Sequence, residues 1–282
     1  MKNNQCSPIF TIVQEDFTFR HKNILSLQKH KAMPLVSIIT PCYNSAKFLK
    51  DTIQAVQNQT LTDWEWIITD DNSSDNSLEI LQTVNDDRII VVESKTNGGA
   101  GHARNLALEK ASGRFITFLD ADDYWFPEFL EEMTQFMLRE QAELAYSNYA
   151  RCDENMTPLI EDFKADKVVT FDNLLKTCRL SLLSSMYDSQ RVGKEYFPKG
   201  SKREDHVMWL NLLKKIPEGK PLPKTMAKYR MHANSVSRKK SNIIKDQYLV
   251  YKDFMHFSTL KSLYYTAHWA FNGFKKYSKW FN

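Results

Sequence analysis

The sequence predicts an α/β fold with a mostly parallel central sheet flanked by helices. Short apolar stretches typical of buried strands alternate with helical stretches between residues 34 and 150. A polar cluster follows each of the first four predicted strands. Strands joined by single helices run parallel through right-handed crossovers, so their carboxyl ends meet at one sheet edge. Ligands of α/β proteins bind at that edge.

Four strands and four helices make up this alternating region. The strands are expected at 36–40, 64–71, 88–94 and 115–119, and the helices at 46–59, 72–84, 98–113 and 127–140. In the first helix Leu49, Ile53 and Val56 share one face, which predicts burial against the sheet. Gly113 is expected to end the third helix as its C-cap.

The periodicity weakens after residue 150, although 203–215 reads as a helix and 222–232 as a strand. The chain is therefore divided by composition and periodicity into three parts. We expect an N-terminal extension at 1–33, a main domain at 34–237 and a basic, aromatic helical tail at 238–282.

The composition indicates a soluble cytosolic protein. With 282 residues, 42% of them hydrophobic and 26% charged, the chain can bury one large core. Its four cysteines have no C-x-x-C spacing, which favours reduced thiols over a zinc or disulfide framework. No stretch approaches the roughly eighteen apolar residues of a membrane span. The N-terminus has no secretory signal pattern.

Charge is distributed unevenly along the chain. Residues 238–282 carry nine Lys or Arg against two Asp, a balance of +7, and the rest of the chain carries −3. The stretch 260–281 mixes aromatic residues with lysines at roughly helical spacing. This pattern leaves two alternatives open for 258–282, peripheral contact with an anionic membrane or a helix docked on the domain. Basic residues are confined to this tail and no RNA-binding motif accompanies them, so no nucleic acid partner is expected.

The fourth strand ends in a group of aspartates, "DADD". Side chains alternate along a strand, so Asp120 and Asp122 are expected to point the same way. Two such carboxylates suit Mg²⁺ or Mn²⁺, which keeps positions free for phosphate oxygens. The alternative is a solvated acidic turn, with Asp123 favouring the start of the next helix.

Two further clusters follow strands two and three. After strand two, Asp71 is expected to face a ligand, whereas Asp75 is expected to cap the next helix. After strand three, Gly99 and Gly101 resemble a dinucleotide fingerprint, but Arg104 stands where its third glycine belongs. Arg104 is better suited to binding a diphosphate or orienting carboxylates, with a surface arginine as the alternative.

Three downstream residues become informative together with these clusters. Glu204 and Asp205 open the predicted helix at 203–215, where acidic residues are common for dipole reasons alone. His232 lies at the end of the predicted strand at 222–232, and a lone histidine is usually structural.

The ordered motifs resemble family-2 glycosyltransferases, which have the GT-A fold, a Rossmann-like α/β sheet, and use nucleotide-sugar donors. The motifs are "VSIITPCYN", "WEWIITDDNSSD", "GGAGHARNLAL", "ITFLDADD", "RED" and "HANSVS", spread over roughly 34–237. The resemblance is strongest to bacterial enzymes that build capsular, teichuronic-type or O-chain polymers. It divides the domain into a nucleotide-sugar half at 34–125 and an acceptor half at 126–237.

On the donor side, the resemblance implies that Pro41 and Tyr43 line the base pocket. Asp71 would contact uracil, and Asp120 would lie near the ribose. One departure is Asn72, where the family usually has glycine; asparagine tolerates left-handed dihedrals, so little change is expected.

For the chemistry, the resemblance implies that Asp122 binds the metal that bridges the diphosphate, with His232 approaching the metal or diphosphate. Asp205 would be the general base, and Glu204 would help to seat the acceptor. The implied reaction is inverting transfer from a nucleotide-sugar, by default a UDP-sugar, to a glycan or lipid-linked acceptor.

Two other functions share part of this pattern. A sugar-phosphate nucleotidyltransferase usually has a Gly-rich basic loop after strand one, where this chain reads "TPCYNSAKF". A non-catalytic sugar-nucleotide-binding subunit of an assembly complex tends to lose the acidic groups that Asp122 and Asp205 retain here. The chain also lacks the Q-x-x-R-W signature of processive synthases.

Overall fold

A computed structural model describes residues 33–165, 167–232 and 242–278, with side chains as far as residue 274. Residues 34–282 form one compact unit. Its strands are β1 (Val36–Cys42), β2 (Trp64–Asp70), β3 (Ile89–Glu93), β4 (Phe115–Phe118), β5 (Tyr124–Trp125), β6 (Leu144–Cys152), β7 (Pro158–Phe163), β8 (Ser185–Asp188) and β9 (Lys220–Arg230). Its helices are α1 (Ala46–Gln57), α2 (Ser77–Gln82), α3 (Ala100–Lys110), α4 (Phe129–Arg139), α5 (Phe171–Lys176), α6 (Ser189–Val192), α7 (Glu204–Leu213), α8 (Ile243–Leu249) and α9 (Thr259–Ser278). Short 3₁₀ and π turns lie at Leu182–Ser184 and Val250–Phe254.

One mixed sheet runs through the unit in the order β3-β2-β1-β4-β8-β6-β9-β5, with β7 paired to β6. Its first four strands are parallel, as predicted. Beyond them β8 is antiparallel to both neighbours, and β6 and β9 run parallel to each other. The predicted α/β class is confirmed, with the parallel arrangement concentrated in the first half of the sheet.

The apolar runs in β1 and β2 arise because both faces of the sheet are covered. Ile38 and Ile68 belong to one core cluster, whereas the adjacent Ile39 and Ile67 belong to the cluster on the other face. All four side chains are fully buried. Strands buried on both faces read as continuous hydrophobic stretches, which is how these strands could be recognised.

The predicted buried face of α1 is confirmed, whereas the predicted role of Gly113 is wrong. Leu49, Ile53 and Val56 of α1 are buried, as the helical spacing predicted. Gly113 does not cap α3, whose C-cap is Ala111. A Cβ on Gly113 would lie 2.6 Å from the backbone nitrogen of Ser37, so glycine is required for close approach to β1.

Three features of the sequence lie outside the described residues: residues 1–32 of the predicted extension, the two serines of the H-x-x-S-x-S pattern, and 279–282 at the end of the tail. Among the described cysteines, Cys42 and Cys152 are buried free thiols. Among the described helices, none combines the length and apolar character needed to cross a bilayer.

Candidate active site

The carboxyl ends of β1, β2 and β4 meet at one edge of the sheet. Cys42 lies opposite Asp70 in the parallel register, and the Cys42 carbonyl accepts the N–H of Asp71 at 2.8 Å. On the other side of β1, Leu119 donates its N–H to the Ile39 carbonyl at 3.0 Å. The segments after β1, β2 and β4 are therefore neighbours in space, as the alternating pattern predicted.

Arg104 joins two carboxylates from distant parts of the chain. Its Nη2 donates to Oδ1 of Asp120 at 2.6 Å, and its Nη1 lies 3.4 Å from Oε1 of Glu204. The Arg104 side chain is only 7% exposed, so it is not a surface arginine. A buried guanidinium between two carboxylates fixes both carboxylates in position, because each of them is stabilised by the positive charge of the guanidinium.

Asp122 contacts His232 rather than Arg104. His232 Nε2 lies 2.8 Å from Asp122 Oδ2, and its ring packs 5.0 Å from that of Phe48. Burial raises the pKa of Asp122, the nearby Asp120 raises it further, and the contact with His232 opposes both. The carboxylates of Asp120 and Asp122 therefore repel each other in a turn that is partly shielded from water.

Strand alternation was the wrong reason for pairing Asp120 with Asp122. Strand β4 ends at Phe118, two residues before Asp120, so both aspartates lie in the turn that follows. The Asp123 N–H donates to the Asp120 carbonyl at 3.1 Å and closes this turn, and each of the two carboxylates has its own partner.

Asp123 is a buried structural residue and does not start α4, whose N-cap is Glu128. Its Oδ1 accepts the backbone N–H of Arg230 at 2.8 Å. Burial, followed by the charges of Asp122 and Asp120, raises its pKa well above the usual range.

Arg230 is a further residue of the site that the sequence did not predict, and it is only 3% exposed. Its Nε donates to the Asp122 carbonyl at 2.7 Å, its Nη2 lies 2.8 Å from Asp51 Oδ2, and its Nη1 donates to the Glu154 carbonyl. The guanidinium also lies 4.4 Å from the ring centroid of Phe48. Arg230 therefore ties the aspartate turn to α1 and to the end of β9. No local pattern in the sequence marks Arg230, because these partners lie far from it along the chain.

The glycine segment before α3 is anchored by Asp71. The two oxygens of its carboxylate accept the N–H groups of Gly98 at 3.0 Å and Gly99 at 2.7 Å. Tyr43, which follows β1, has an exposed side chain, and Pro41 lies in β1 beside Thr69 of β2. Pro41, Tyr43 and Asp71 thus lie on adjacent strand ends.

Asp75 binds the starts of two helices, as expected for a structural residue. It accepts the N–H of Ala46 at 3.1 Å and the N–H of Ser77 at 2.9 Å. These hydrogen bonds occupy backbone donors that the ends of α1 and α2 leave unpaired.

A cavity of about 340 Å³ opens beside Glu204. Its lining residues are Thr96, Gly98, Gly101, His102, Asn105, Phe197, Pro198, Lys199, Gly200 and Glu204. A Cβ on Gly101 would lie 2.2 Å from Glu204 Oε2, so glycine is needed for the carboxylate to pack against α3. Asn105 holds the opposite wall, because its side-chain amide exchanges two hydrogen bonds of 2.8 Å with the backbone of Phe197.

The electrostatics of this cavity centre on Glu204. Burial raises its pKa, Arg104 opposes that rise, and the adjacent Asp205 adds to it. Asp205 is half-buried in the first turn of α7. Of the two carboxylates at this helix N-terminus, Glu204 lines the cavity and is held by Arg104, whereas Asp205 is not one of the lining residues.

The donor set at the aspartate turn suits a divalent cation. In the described part of the chain, no three His, Cys, Asp or Glu side chains converge as a complete metal cage. Asp122 and His232 nevertheless present an oxygen and a nitrogen 2.8 Å apart, with Asp120 close enough to raise the Asp122 pKa. A cation beside these carboxylates would relieve their repulsion. Mg²⁺ and Mn²⁺ sites often use one or two protein carboxylates and complete their shell with substrate phosphates.

Residues 37–174 match the family model for glycosyl transferase family 2. TuaG of Bacillus subtilis, named as a teichuronic acid biosynthesis glycosyltransferase, is 36% identical over 245 residues. The match covers 86% of this chain and 97% of TuaG. The chain belongs to glycosyltransferase family 2. It is a glycosyltransferase, as the motifs predicted.

A second relative of this glycosyltransferase is WfgD of Escherichia coli, named as a UDP-Glc:alpha-D-GlcNAc-diphosphoundecaprenol beta-1,3-glucosyltransferase. It is 35% identical over 245 residues, covering 86% of this chain and 95% of WfgD.

Solved structures confirm the GT-A fold expected from the resemblance. S. aureus TarS in complex with UDP has a TM-score of 0.62 and 22% identity, with coverage of 83% of this chain and 70% of TarS. The mannosyltransferase PcManGT of Pyrobaculum calidifontis, in complex with GDP-Man and Mn²⁺, has a TM-score of 0.60 and 16% identity. That likeness covers 89% of this chain and 76% of PcManGT.

Proposed function

We propose that this glycosyltransferase transfers a sugar from a UDP-sugar to a hydroxyl of a glycan or lipid-linked acceptor, with inversion, in the synthesis of a bacterial surface polysaccharide. The observation that carries the proposal is the Arg104 bridge, which joins Asp120 at the strand ends to Glu204 beside the cavity. The donor-binding residues and the acceptor-binding residues would then lie on either side of the buried Arg104 side chain.

The nucleotide would bind at the ends of β1, β2 and β4. Pro41 and Tyr43 would line the base pocket, Asp71 would accept from uracil, and Asp120 would lie beside the ribose. The adjacent strand ends support this assignment, since the Asp71 N–H bonds the Cys42 carbonyl between them. The named complexes of TarS with UDP and with UDP-GlcNAc favour the same class of donor.

Asp122 and His232 would hold a divalent cation, Mn²⁺ or Mg²⁺. When bound, the cation would offset the negative charge that grows on the departing diphosphate. The Mn²⁺ in the PcManGT complex supports a metal in this fold. Arg230 donates a hydrogen bond to the Asp122 carbonyl and so fixes the Asp122 backbone, which would position the carboxylate before the donor binds.

Asp205 would act as the general base. Its carboxylate would accept the proton of the acceptor hydroxyl while that oxygen forms a bond to the anomeric carbon. The bond from this carbon to the diphosphate oxygen breaks on the opposite side, so the configuration inverts. A diphosphate leaving group needs no protein acid, in contrast to the paired carboxylates of a glycosidase. Glu204, held by Arg104, would seat the acceptor.

The names of two relatives suggest the pathway and the place of the reaction. TuaG is named for teichuronic acid biosynthesis, and WfgD for transfer to a diphosphoundecaprenol-linked sugar. An acceptor of the latter kind is embedded in a bilayer. We therefore assign the reaction to the cytosol, at the inner face of the cytoplasmic membrane.

Replacing Asp205 with Asn is expected to abolish transfer and to leave donor binding intact, because the amide cannot accept a proton. The protein would be incubated with a panel of nucleotide-sugars, Mn²⁺ and a glycan or lipid-linked acceptor, and release of nucleoside diphosphate would be measured. We expect a loss of at least about 10³-fold in turnover, within the range for general-base removal plus misplacement.

Asp172→Asn is the matched control, since Asp172 is also an acidic residue in the first turn of a helix. It should keep full activity. Near-normal turnover by Asp205→Asn would overturn the base assignment. Donor binding without turnover for any nucleotide-sugar would favour the non-catalytic binding subunit instead.

A further inference from the structure

Helix α9 packs on the catalytic unit through one face. Ser262 and Thr266 are buried, and Asn272 Nδ2 donates to the Lys176 carbonyl of α5 at 3.0 Å. The Trp269 ring lies 5.2 Å from the guanidinium of Arg203. These contacts confirm a docked helix, one of the two alternatives expected for this segment.

The opposite face of α9 is apolar and exposed. Its large side chains are between 52% and 81% exposed: Leu260, Leu263, Tyr264, Phe271 and Phe274. At about 100° per residue these positions fall within an arc of about 100°, centred opposite the docked side chains. Scattered exposed hydrophobics are ordinary, but a contiguous row along four turns marks an interaction surface. We call these five residues the outward face of α9.

The charge of the sequence in and next to α9 favours one kind of partner. Residues 254–282 contain four lysines, at 261, 275, 276 and 279, and no aspartate or glutamate. Lys261 lies at the border of the outward face, and its Nζ is 4.0 Å from the ring centroid of Phe257. An apolar, aromatic helix face with cationic neighbours fits a bilayer that contains anionic lipid. A second copy of the same segment would bring lysines against lysines with no acidic partner.

We propose that the outward face of α9 inserts into the interface of an anionic lipid bilayer and holds the acceptor side of the active site at the membrane. Trp269 on the docked face contacts Arg203, which immediately precedes Glu204 and Asp205. Membrane contact through α9 therefore places the first turn of α7 near the lipid surface. The second part of this inference rests on the proposed function, because only a lipid-linked acceptor benefits from that placement.

The test is co-sedimentation of the full chain with vesicles of phosphatidylcholine alone or of phosphatidylcholine mixed with phosphatidylglycerol, an anionic lipid that attracts basic segments. The variant Leu260→Ser, Phe271→Ser, Phe274→Ser removes three exposed side chains that no core contact needs. It should bind the anionic vesicles at least about ten-fold more weakly and keep its melting temperature. Neutral vesicles should bind the unaltered protein several-fold more weakly, and added salt should weaken binding to the anionic ones.

The matched control is Leu138→Ser, Leu159→Ser, Val168→Ser, three exposed hydrophobics outside α9. It should bind vesicles like the unaltered protein. Equal vesicle binding by both triple variants would overturn the inference. Light scattering would show whether the protein instead dimerises as its concentration rises. Dimerisation that only the α9 variant loses, together with no vesicle binding by the unaltered protein, would overturn the inference and identify α9 as a self-association surface.

Nucleotide-sugar hydrolysis without acceptor, measured in the same samples, separates the two proposals. If vesicle binding is lost in the α9 variant and hydrolysis persists, both stand. If the unaltered protein binds vesicles through α9 yet releases no nucleoside diphosphate from any nucleotide-sugar, even with a glycan or lipid-linked acceptor added, the membrane surface stands and the proposed reaction fails.

Discussion

The Arg104 guanidinium lies between Asp120, just after β4, and Glu204, at the start of α7. Burial disfavours its charge, but Asp120 and Glu204 outweigh that effect and raise its pKa, so Arg104 stays protonated. A planar group with several N–H donors can serve two carboxylates at once, whereas an ammonium acts as a single point charge.

Replacing Arg104 with Lys should therefore weaken both contacts. We expect kcat/KM to fall about 100-fold, because a misplaced positioning group costs that much. Unfolding in urea should show a loss of about 2 kcal/mol, typical of a buried charged hydrogen bond. Arg139→Lys is the control, since Arg139 forms an exposed ion pair with Glu140 and should change stability by less than about 0.5 kcal/mol. An Arg104→Lys enzyme with normal kinetics would contradict the role of the bridge.

The chemistry at the residue scale was only partly predictable. Asp120, Asp122 and Arg104 could be selected because carboxylates and guanidinium follow strand ends in the sequence. Arg230 could not, because its contacts to Asp51 and Asp122 span 179 and 108 residues of chain separation and leave no local pattern.

At the scale of elements, α3 connects the two halves of the site. Asp71 fixes the glycine segment before it, Gly101 in its first turn faces Glu204, and Asn105 holds the wall of the cavity. The small residues that resembled a dinucleotide fingerprint thus serve close packing between α3 and the carboxylate of α7.

Replacing Gly101 with Ala should displace Glu204 and leave the nucleotide site in place. The new Cβ would lie 2.2 Å from Glu204 Oε2, so the carboxylate must leave the position in which it lies 3.4 Å from Arg104 Nη1. We expect turnover with acceptor to fall about ten-fold or more, while the Kd for UDP stays within about two-fold.

Gly273→Ala in α9 is the matched control, because a Cβ at this position would meet no neighbouring atom within 4 Å. It should keep activity and raise stability by about 0.5–1 kcal/mol, the helix preference of alanine over glycine. Equal acceptor-dependent turnover in both variants would contradict the packing role of Gly101.

Strands that are buried on both faces could be predicted from the sequence. Strand ends and bulges that are set by a partner strand distant in the sequence could not. Strands β1 and β2 bury apolar side chains on both faces of the sheet, which leaves a recognisable hydrophobic stretch in each. The end of β4 at Phe118 could not be read from "FITFL", because its antiparallel partner β8 pairs only from Phe115 to Thr117. The bulged pairing of β6 with β9 likewise has no counterpart in the local sequence.

At the scale of the whole molecule, His206 couples folding to pH. It is fully buried in α7, where its Nε2 meets the Leu174 carbonyl at 3.2 Å and its Nδ1 meets the Gln247 side chain at 3.3 Å. Burial, followed by the charge of Arg203, lowers its pKa to about 4. The folded protein therefore holds a neutral imidazole that joins α7 to α5 and α8.

Lowering the pH from 7 to 5 should destabilise the fold through His206. The unfolded chain, with a histidine pKa near about 6.5, takes up a proton in this window and the folded chain does not. The free energy of unfolding should thus fall by about 2 kcal/mol from this group, and the His206→Gln variant should lack that contribution. Asp122, Asp123 and Glu204, whose pKa values are raised, act in the opposite direction, so the measured quantity is the difference between the two proteins in urea unfolding at each pH. Parallel pH profiles would contradict a neutral buried His206.

Calorimetric titration of UDP into the full chain, with and without Mn²⁺, tests the central claim most directly. The account predicts binding that requires Mn²⁺ and is weakened at least about ten-fold in Asp122→Asn, because the strand-end carboxylates then hold the cation against the diphosphate less well. The same UDP affinity with and without Mn²⁺, or no affinity in either case, would contradict it.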